Sequence, residues 1–439
     1  MAGHDRPGEP AGHDPVDVVH QSAPPPPGGT SALRGPVGSR ERALAPDLAR
    51  GFMLLLIALA NSVWYLWAAE SSGVVAHPVD GSTADRIVQG VLMTVVDGRT
   101  YPMFAFLFGY GMVQLWLRQR AAGADEKAVR ALLRRRNLWL LAFGLVHAAL
   151  LWYGDILGAY GFVGLLFGWL FLRRADRTLL VWAAVLSGLL LATTALAVLG
   201  ALATPESAAP APAGDDPLSS LVPSPALNAV EDYPTSVLLR IVPWLFLVVA
   251  QGLLTFTIPV AILLAFWAAR RRVLEEPGRH LRLLRTTALV GIPLGWLGAL
   301  PHALYHLGLL ELPPLLGETM ISVASATGLA TGLGYVALFG LIAHRLSRRA
   351  ATGTVVTALA AVGKRSLSCY LAQSVLFAPV LAAWGLGLGA HLHSATMALY
   401  ATGVWLATVV LAYLLERAGQ RGPAEVLLRR LAYRRPVRR

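Results

Sequence analysis

Cysteine is almost missing: Cys369 is the only one in 439 residues, which excludes an intrachain disulfide and a thiolate metal cluster and leaves the redox compartment unreadable. Charge is also scarce, at 14% of the chain, where soluble domains carry roughly 25%. No nucleotide P-loop, Gly-x-Ser-x-Gly elbow or Rossmann glycine fingerprint occurs, which speaks against an ATP-driven mechanism within this chain. Zinc-peptidase spacing is lacking too, because the residue after His302 is Ala303, so no metal site and no tightly bound cofactor is expected. No repeat of 20–50 residues stands out.

What remains is apolar. Hydrophobic residues make up 55% of the chain, and lipid is the solvent this composition fits. The net charge of +12 sits between hydrophobic runs rather than on a basic face interleaved with aromatics, so nucleic acid is not an expected partner. A helix crossing the hydrocarbon core needs roughly 20 apolar residues. Ten such runs lie near 48–69, 101–118, 136–153, 155–172, 178–203, 237–268, 286–309, 319–343, 365–384 and 395–415. With a cytoplasmic N-terminus, 34 of the 37 Lys and Arg residues fall on the inner side, leaving Arg86, Arg99 and Arg240 outside. The bias predicts an all-α, polytopic transmembrane bundle of about ten spans in the inner (plasma) membrane, with both termini cytoplasmic.

The same bias decides the long run 237–268, which reads as one span with an interfacial start; splitting it would turn every later basic loop outward. The stretch 353–362 is too short to cross and reads as lying at the inner surface. Residues 1–41, with Pro24 to Pro27 and no apolar segment, read as a disordered cytoplasmic tail rather than a signal peptide. Residues 42–435 form the helical domain, 204–234 read as a flexible outer loop, and 436–439 as a basic cytoplasmic end.

Ionisable and strongly polar residues inside spans are costly, so they are the candidates for function. Asp47 and Arg50 share one face at the inner start of the first span. They form either a local anchor or an anion site that uses the guanidinium fork. Asn61 lies further along that face, as a helix tie or a substrate contact. Arg99, one of three outer cations, is a candidate anion contact. His147 and Asp155 flank the turn between the third and fourth spans, where an imidazole and a carboxylate could serve as a base and its orienting partner. They could equally be a satisfied core histidine and a helix-start acid. In the ninth span Tyr370, Gln373 and Ser374 share a face toward the bundle, for substrate contact or interhelical hydrogen bonding. Glycine pairs such as Gly291 and Gly295 have the small-xxx-small spacing of packed membrane helices.

Taken in order, these motifs resemble the bacterial membrane-protein family called domain of unknown function 418, also described as YeiB-like. The resemblance rests on Asp47, Arg50 and Gly51, on Phe104 to Gly109, on His147 with Gly154 to Tyr160, and on Tyr370 with Gln373 and Ser374. It runs from about Arg42 to Arg435 and brings Tyr160 into the candidate set. Ala49 stands in place of the usual leucine, and Ser368-Cys369 in place of a common Thr-Asn.

The family is remotely similar to transmembrane acyltransferases that modify sugars, among them the acyltransferase-three and heparan glucosaminide acetyltransferase enzymes. That likeness implies acyl-CoA as a cytoplasmic co-substrate and a glycan or lipid acceptor across the membrane. Acyltransferase-three proteins place a histidine where Asn61 stands, and an amide cannot act as a general base. The base would then be His147, oriented by Asp155, with Arg50 and Arg136 holding the acyl-CoA phosphates. Other readings are a transporter or exporter of a small or lipidic solute, whose pathway the same residues would line, and a membrane scaffold of an envelope complex. The oligomeric state is not legible.

Overall fold

The computed structural model describes residues 1, 3, 43–71, 76–205, 224–348 and 353–433. The N-terminal tail beyond Met1 and Gly3, the core of the 204–234 connection and the end 436–439 lie outside the described residues. Fourteen α-helices follow one another among the described residues, and the only extended pairing is a single bridge between Ser71 and Pro78.

Helix α1 (Leu44–Ser62) is followed by the short α2 (Thr83–Val91), α3 (Thr100–Ala121), α4 (Glu126–Leu150), α5 (Ile156–Leu170) and α6 (Asp176–Ala203). Then come α7 (Tyr233–Val249), α8 (Thr257–Arg270), α9 (Leu281–His306), α10 (Pro314–Leu346), α11 (Thr354–Lys364), α12 (Ser366–Leu381), α13 (Ser394–Arg417) and α14 (Pro423–Tyr433). Six segments are long and apolar enough to cross a membrane: Leu44–Tyr65, Asp176–Ala203, Tyr233–Leu254, Pro277–His306, Pro314–Leu346 and Ser394–Arg417.

Burial sorts these helices into centre and rim. In α1 and α10 the most apolar window is 61% buried, whereas in α6 it is 11% buried, so the Leu and Val residues of α6 face outward, as on a lipid-facing helix. The centre is built where α1, α3, α8 and α11 meet around Met53, Leu54, Met103, Leu107, Ile262 and Phe266, none more than 1% exposed. Helices α9 and α10 form a close hairpin. A side chain at Gly291 would meet the Ala330 carbonyl oxygen at 2.4 Å, so the small-residue spacing there is a packing requirement.

The bundle has two ends of different character. At the basic end Arg270 donates to Asp176 at 3.0 Å and to the Leu172 carbonyl at 3.0 Å. There too Arg365 and Lys364 each meet Glu416 at 2.7 Å, and Arg135 donates to the Ala432 carbonyl at 2.8 Å. The opposite end gathers the turn 151–155 and the segments 224–232 and 382–393. Here Tyr153 donates to the Ser224 carbonyl, Ala383 N–H to the Asn228 carbonyl, and Tyr233 to the Leu150 carbonyl, at 2.9–3.0 Å.

The run 237–268 is two helices in the structure. A π-turn over Ala250–Leu254 leads to Phe256 at φ 56°, and α8 begins at Thr257. Pro259 explains the break: it offers no N–H to the Thr255 carbonyl and its ring would clash there. Because Tyr233 contacts the opposite end and Arg270 the basic end, the two pieces together traverse the bundle once. Helix α2 is not anticipated by hydropathy; it exists through a capping box in which Ser82 and Asp85 satisfy each other's backbone N–H. Helix α11, legible only as a short surface stretch, packs along α1 at the basic end, with Ala361 and Val362 fully buried.

Candidate functional site

His147 occupies the last turn of α4, and Asp155 is the N-cap of α5, so a short turn joins them. One Asp155 oxygen, Oδ1, accepts the Gly158 N–H at 2.8 Å, the cap bond that α5 needs. The other, Oδ2, lies 2.7 Å from His147 Nδ1. Trp244 Nε1, from α7, adds a longer contact to Oδ1 at 3.4 Å. Both members are buried, at 3% and 1% exposure.

Two glycines make room for the pair. A Cβ on Gly144 would sit 2.4 Å from Asp155 Oδ1, and one on Gly158 would strike the Trp244 ring at 2.6 Å. In a neutral imidazole, a carboxylate facing Nδ1 selects the tautomer with the proton on Nδ1 and the lone pair on Nε2. Nε2 is buried and has no hydrogen-bond partner among the described residues.

On the basic side of this pair lies a cavity of about 940 Å³, at the upper end of small-ligand sites. Its outer portion is lined by Arg50, Arg118, Arg136, Lys364 and Arg429, together with Asp47, Glu275 and Glu425. The acids are engaged locally. Asp47 pairs with Arg50 at 3.5 Å. Glu275 accepts from Tyr110 and Gln114, and Glu425 accepts the Leu367 and Ser368 N–H groups at 2.8 and 3.2 Å. Arg136 lies over the Phe108 ring at 5.3 Å, and its Nη1 is buried with no hydrogen-bond partner among the described residues.

The deep portion is apolar, formed by Met53, Phe104, Leu140, Leu157 and the Tyr160 ring. Tyr370 also lines the cavity, and its ring lies 5.1 Å, centroid to centroid, from that of His147.

The structure therefore brings Asp47, Arg50, Arg136, Tyr160 and Tyr370 to one cavity, with His147 and Asp155 outside its lining and His147 packed against Tyr370. Tyr160 donates to the Tyr101 carbonyl at 2.8 Å, and Arg50 to the Leu107 carbonyl at 2.9 Å. Gln373 and Ser374 are buried but outside the cavity, and Gln373 ties α12 to the Leu54 carbonyl at 3.4 Å. Asn61 is half-buried and likewise outside.

Arg99 is buried at the opposite end, donating to the Gly295 carbonyl at 2.9 Å and to the Asp97 carbonyl. A second histidine–aspartate pair stands there, His77 Nε2 to Asp97 Oδ2 at 2.7 Å, with His306 alongside. No group of three metal-ligating side chains forms among the described residues. The sequence counts Arg118, Lys364 and Arg429 only among the inner-side charges, not as site residues, and Trp244 carries no signal there.

Residues 268–435 match the family model described as a protein of unknown function, DUF418. The chain is 28% identical over 367 residues to "Uncharacterized protein YxaH" of Bacillus subtilis (strain 168), covering 80% of this chain and 83% of that protein. It is 35% identical over 131 residues to "Uncharacterized 39.9 kDa protein in amylase 3'region" of Bacillus acidopullulyticus, 30% of this chain and 34% of that one.

Proposed function

We propose, from the premise that residues 268–435 belong to the DUF418 family, that this chain is an inner-membrane acyltransferase using cytoplasmic acyl-CoA. It crosses the bilayer about ten times, and the basic end, including both termini, lies in the cytoplasm. The distribution of Lys and Arg supports that orientation. One observation carries the chemical reading: a buried imidazole, fixed by a carboxylate, keeps an unpartnered nitrogen and packs against Tyr370, which lines an arginine-rich cavity.

In this reading Arg136 and Arg50 hold the phosphates of acyl-CoA, for which the guanidinium fork is suited. The acyl group extends along Met53, Phe104 and Leu157 toward Tyr370. His147 Nε2 takes the proton from an acceptor hydroxyl or amine as that atom attacks the thioester carbonyl. The tetrahedral intermediate collapses, the C–S bond breaks, and the imidazolium returns its proton to the departing thiolate. Asp155 holds the tautomer and stabilises the imidazolium. The acceptor is a glycan, lipid or small molecule presented from the outer side.

A transporter remains the second reading. A cavity that runs from an arginine-lined portion at the basic end to an apolar portion at Tyr370 has the shape of a one-sided pathway. Purified protein in nanodiscs, given labelled acyl-CoA and a panel of acceptors, discriminates between the two. Enzyme predicts labelled product that disappears in His147→Gln. No product across the panel, together with solute flux in vesicles that depends on Asp155, replaces the first reading by the second. For topology, a cysteine introduced within 204–234 of a Cys369→Ala background should react with an impermeant thiol reagent added from outside.

A further inference from the structure

Outward of the dyad, six buried polar atoms lack a hydrogen-bond partner among the described residues: His147 Nε2, Tyr65 Oη, Trp152 Nε1, Asn228 Oδ1, Arg240 Nε and Trp384 Nε1. Contacts link them into one column. Trp152 N–H donates to the His147 carbonyl at 3.1 Å, and its ring stacks on Tyr65 at 4.9 Å. Asn228 bridges the Trp64 carbonyl, beside Tyr65, and the Ala383 N–H, beside Trp384. Arg240 lies over Trp384 at 5.3 Å and over Tyr233 at 5.8 Å. On α7 it stands one turn from Trp244, which touches Asp155.

Buried polar groups are almost always paired, so six unpaired ones in one place mark a missing partner. Arg240 says what kind. Its terminal nitrogens reach only the Ala149 carbonyl at 3.2 Å and Ser236 Oγ at 2.6 Å. No carboxylate pairs with it among the described residues, although it is 1% exposed. A buried cation without a counter-charge is costly, and an anionic ligand removes that cost. The remaining unpaired atoms are four donors and acceptors suited to hydroxyls, plus the His147 nitrogen, and they lie among the Tyr65, Trp152 and Trp384 rings, whose faces a ring-bearing ligand could cover once the segment above them moves.

We propose that this end of the molecule is a second binding site, taking a ring-bearing hydroxylated anion, with residues 224–232 as the strap that opens to admit it. The strap is held by Tyr153 to the Ser224 carbonyl at 3.0 Å, Asn228 to the Trp64 carbonyl at 3.0 Å, and Ala383 N–H to the Asn228 carbonyl at 2.9 Å. These bonds belong to one short segment and can release together. Binding here stands on its own. That the ligand is the acyl acceptor, its hydroxyl meeting His147 Nε2, rests on the reading above.

Equilibrium dialysis of full-length protein in phosphatidylcholine nanodiscs tests the site with three probes: glucuronate, uncharged glucose, and benzoate, which has the charge and ring without hydroxyls. Glucuronate should bind at least about tenfold more tightly than either. Arg240→Gln should weaken it by about thirtyfold or more. Trp384→Phe keeps the ring, loses the N–H and should cost about fivefold, which covers the case in which Arg240→Gln fails to fold.

In a Cys369→Ala background, a disulfide between Asn228→Cys and Ala383→Cys should block binding, and reduction should raise it to the level of the Asn228→Cys single variant, which lacks one ligand-facing group. Phosphatidylglycerol added to the nanodiscs reveals the source. Competition assigns the site to a lipid headgroup, and unchanged binding assigns it to a soluble anion. The site is overturned by no saturable glucuronate binding, by equal affinity for glucose, by an Arg240→Gln protein that folds and binds normally, or by binding through a locked strap. Glucuronate binding with these signatures and no acyl transfer would sink the enzymatic reading and leave the site. Transfer without such binding would do the reverse.

Discussion

Two histidine–aspartate pairs at the same separation of 2.7 Å differ in nearly everything around them. In the His147–Asp155 pair neither side chain exceeds 2% exposure, and the carboxylate is held by its own helix start and by Trp244. In the His77–Asp97 pair the carboxylate is 32% exposed, and the imidazole belongs to a loop against His306. The imidazole of the first also packs against Tyr370, which lines the large cavity. A hydrogen bond between imidazole and carboxylate therefore does not mark a reactive centre by itself. What separates the two is a pre-set carboxylate and a neighbouring space that admits a ligand.

The largest expected effect breaks the symmetry between the pairs. His147→Gln or Asp155→Asn should lower acyl transfer by about 10³-fold or more, through loss of the base or of its tautomer. Asp97→Asn should leave the rate within about twofold. Steady-state transfer of label from acyl-CoA checks both, and equal losses at the two pairs would show that the difference in surroundings carries no chemical meaning.

Next comes the space that the first pair occupies. Gly144→Ala places a methyl where Asp155 Oδ1 and the Gly158 N–H now lie, each 2.4 Å from it. It should destabilise the fold by about 1–3 kcal/mol and separate α4 from α5. Thermal unfolding in detergent measures the first effect. Loss of transfer beyond the unfolded fraction measures the second. Arg136→Gln should raise KM for acyl-CoA about tenfold, or ~1.4 kcal/mol, and spare kcat, because it removes binding common to ground and transition states. A fall in kcat at unchanged KM would move Arg136 from binding to chemistry.

Legibility followed distance along the chain. The dyad was readable because His147 and Asp155 are separated by one short turn, so their meeting needs no knowledge of how distant helices pack. The helices at the ten apolar runs were readable because burial in lipid leaves a long, coarse pattern. The cavity was not, because Arg50, Arg136, Lys364 and Arg429 come from four helices that only packing assembles. Helix α2 was missed because a capping box, not hydropathy, starts it. The break at Phe256 lies within a continuous apolar run that the charge bias keeps as one span, so hydropathy and charge alone did not reveal it.

The smallest expected effect closes the contrast between the pairs. His77 is buried at 2% exposure, and its bond to Asp97 fastens the loop after Ser71 to the turn before α3, while His306 holds the same loop through the Pro78 carbonyl at 3.0 Å. With two fastenings, removal of one leaves the loop attached. His77→Asn should therefore cost about 1 kcal/mol of stability, the usual worth of one hydrogen bond. It should leave transfer at the distant dyad unchanged. His306→Asn should cost a similar amount, and the double variant more than the sum, because the two side chains secure one segment. Additive losses in the double variant would show that the two fastenings act independently, and that the His77–Asp97 pair is local scaffolding rather than half of a cooperative clasp.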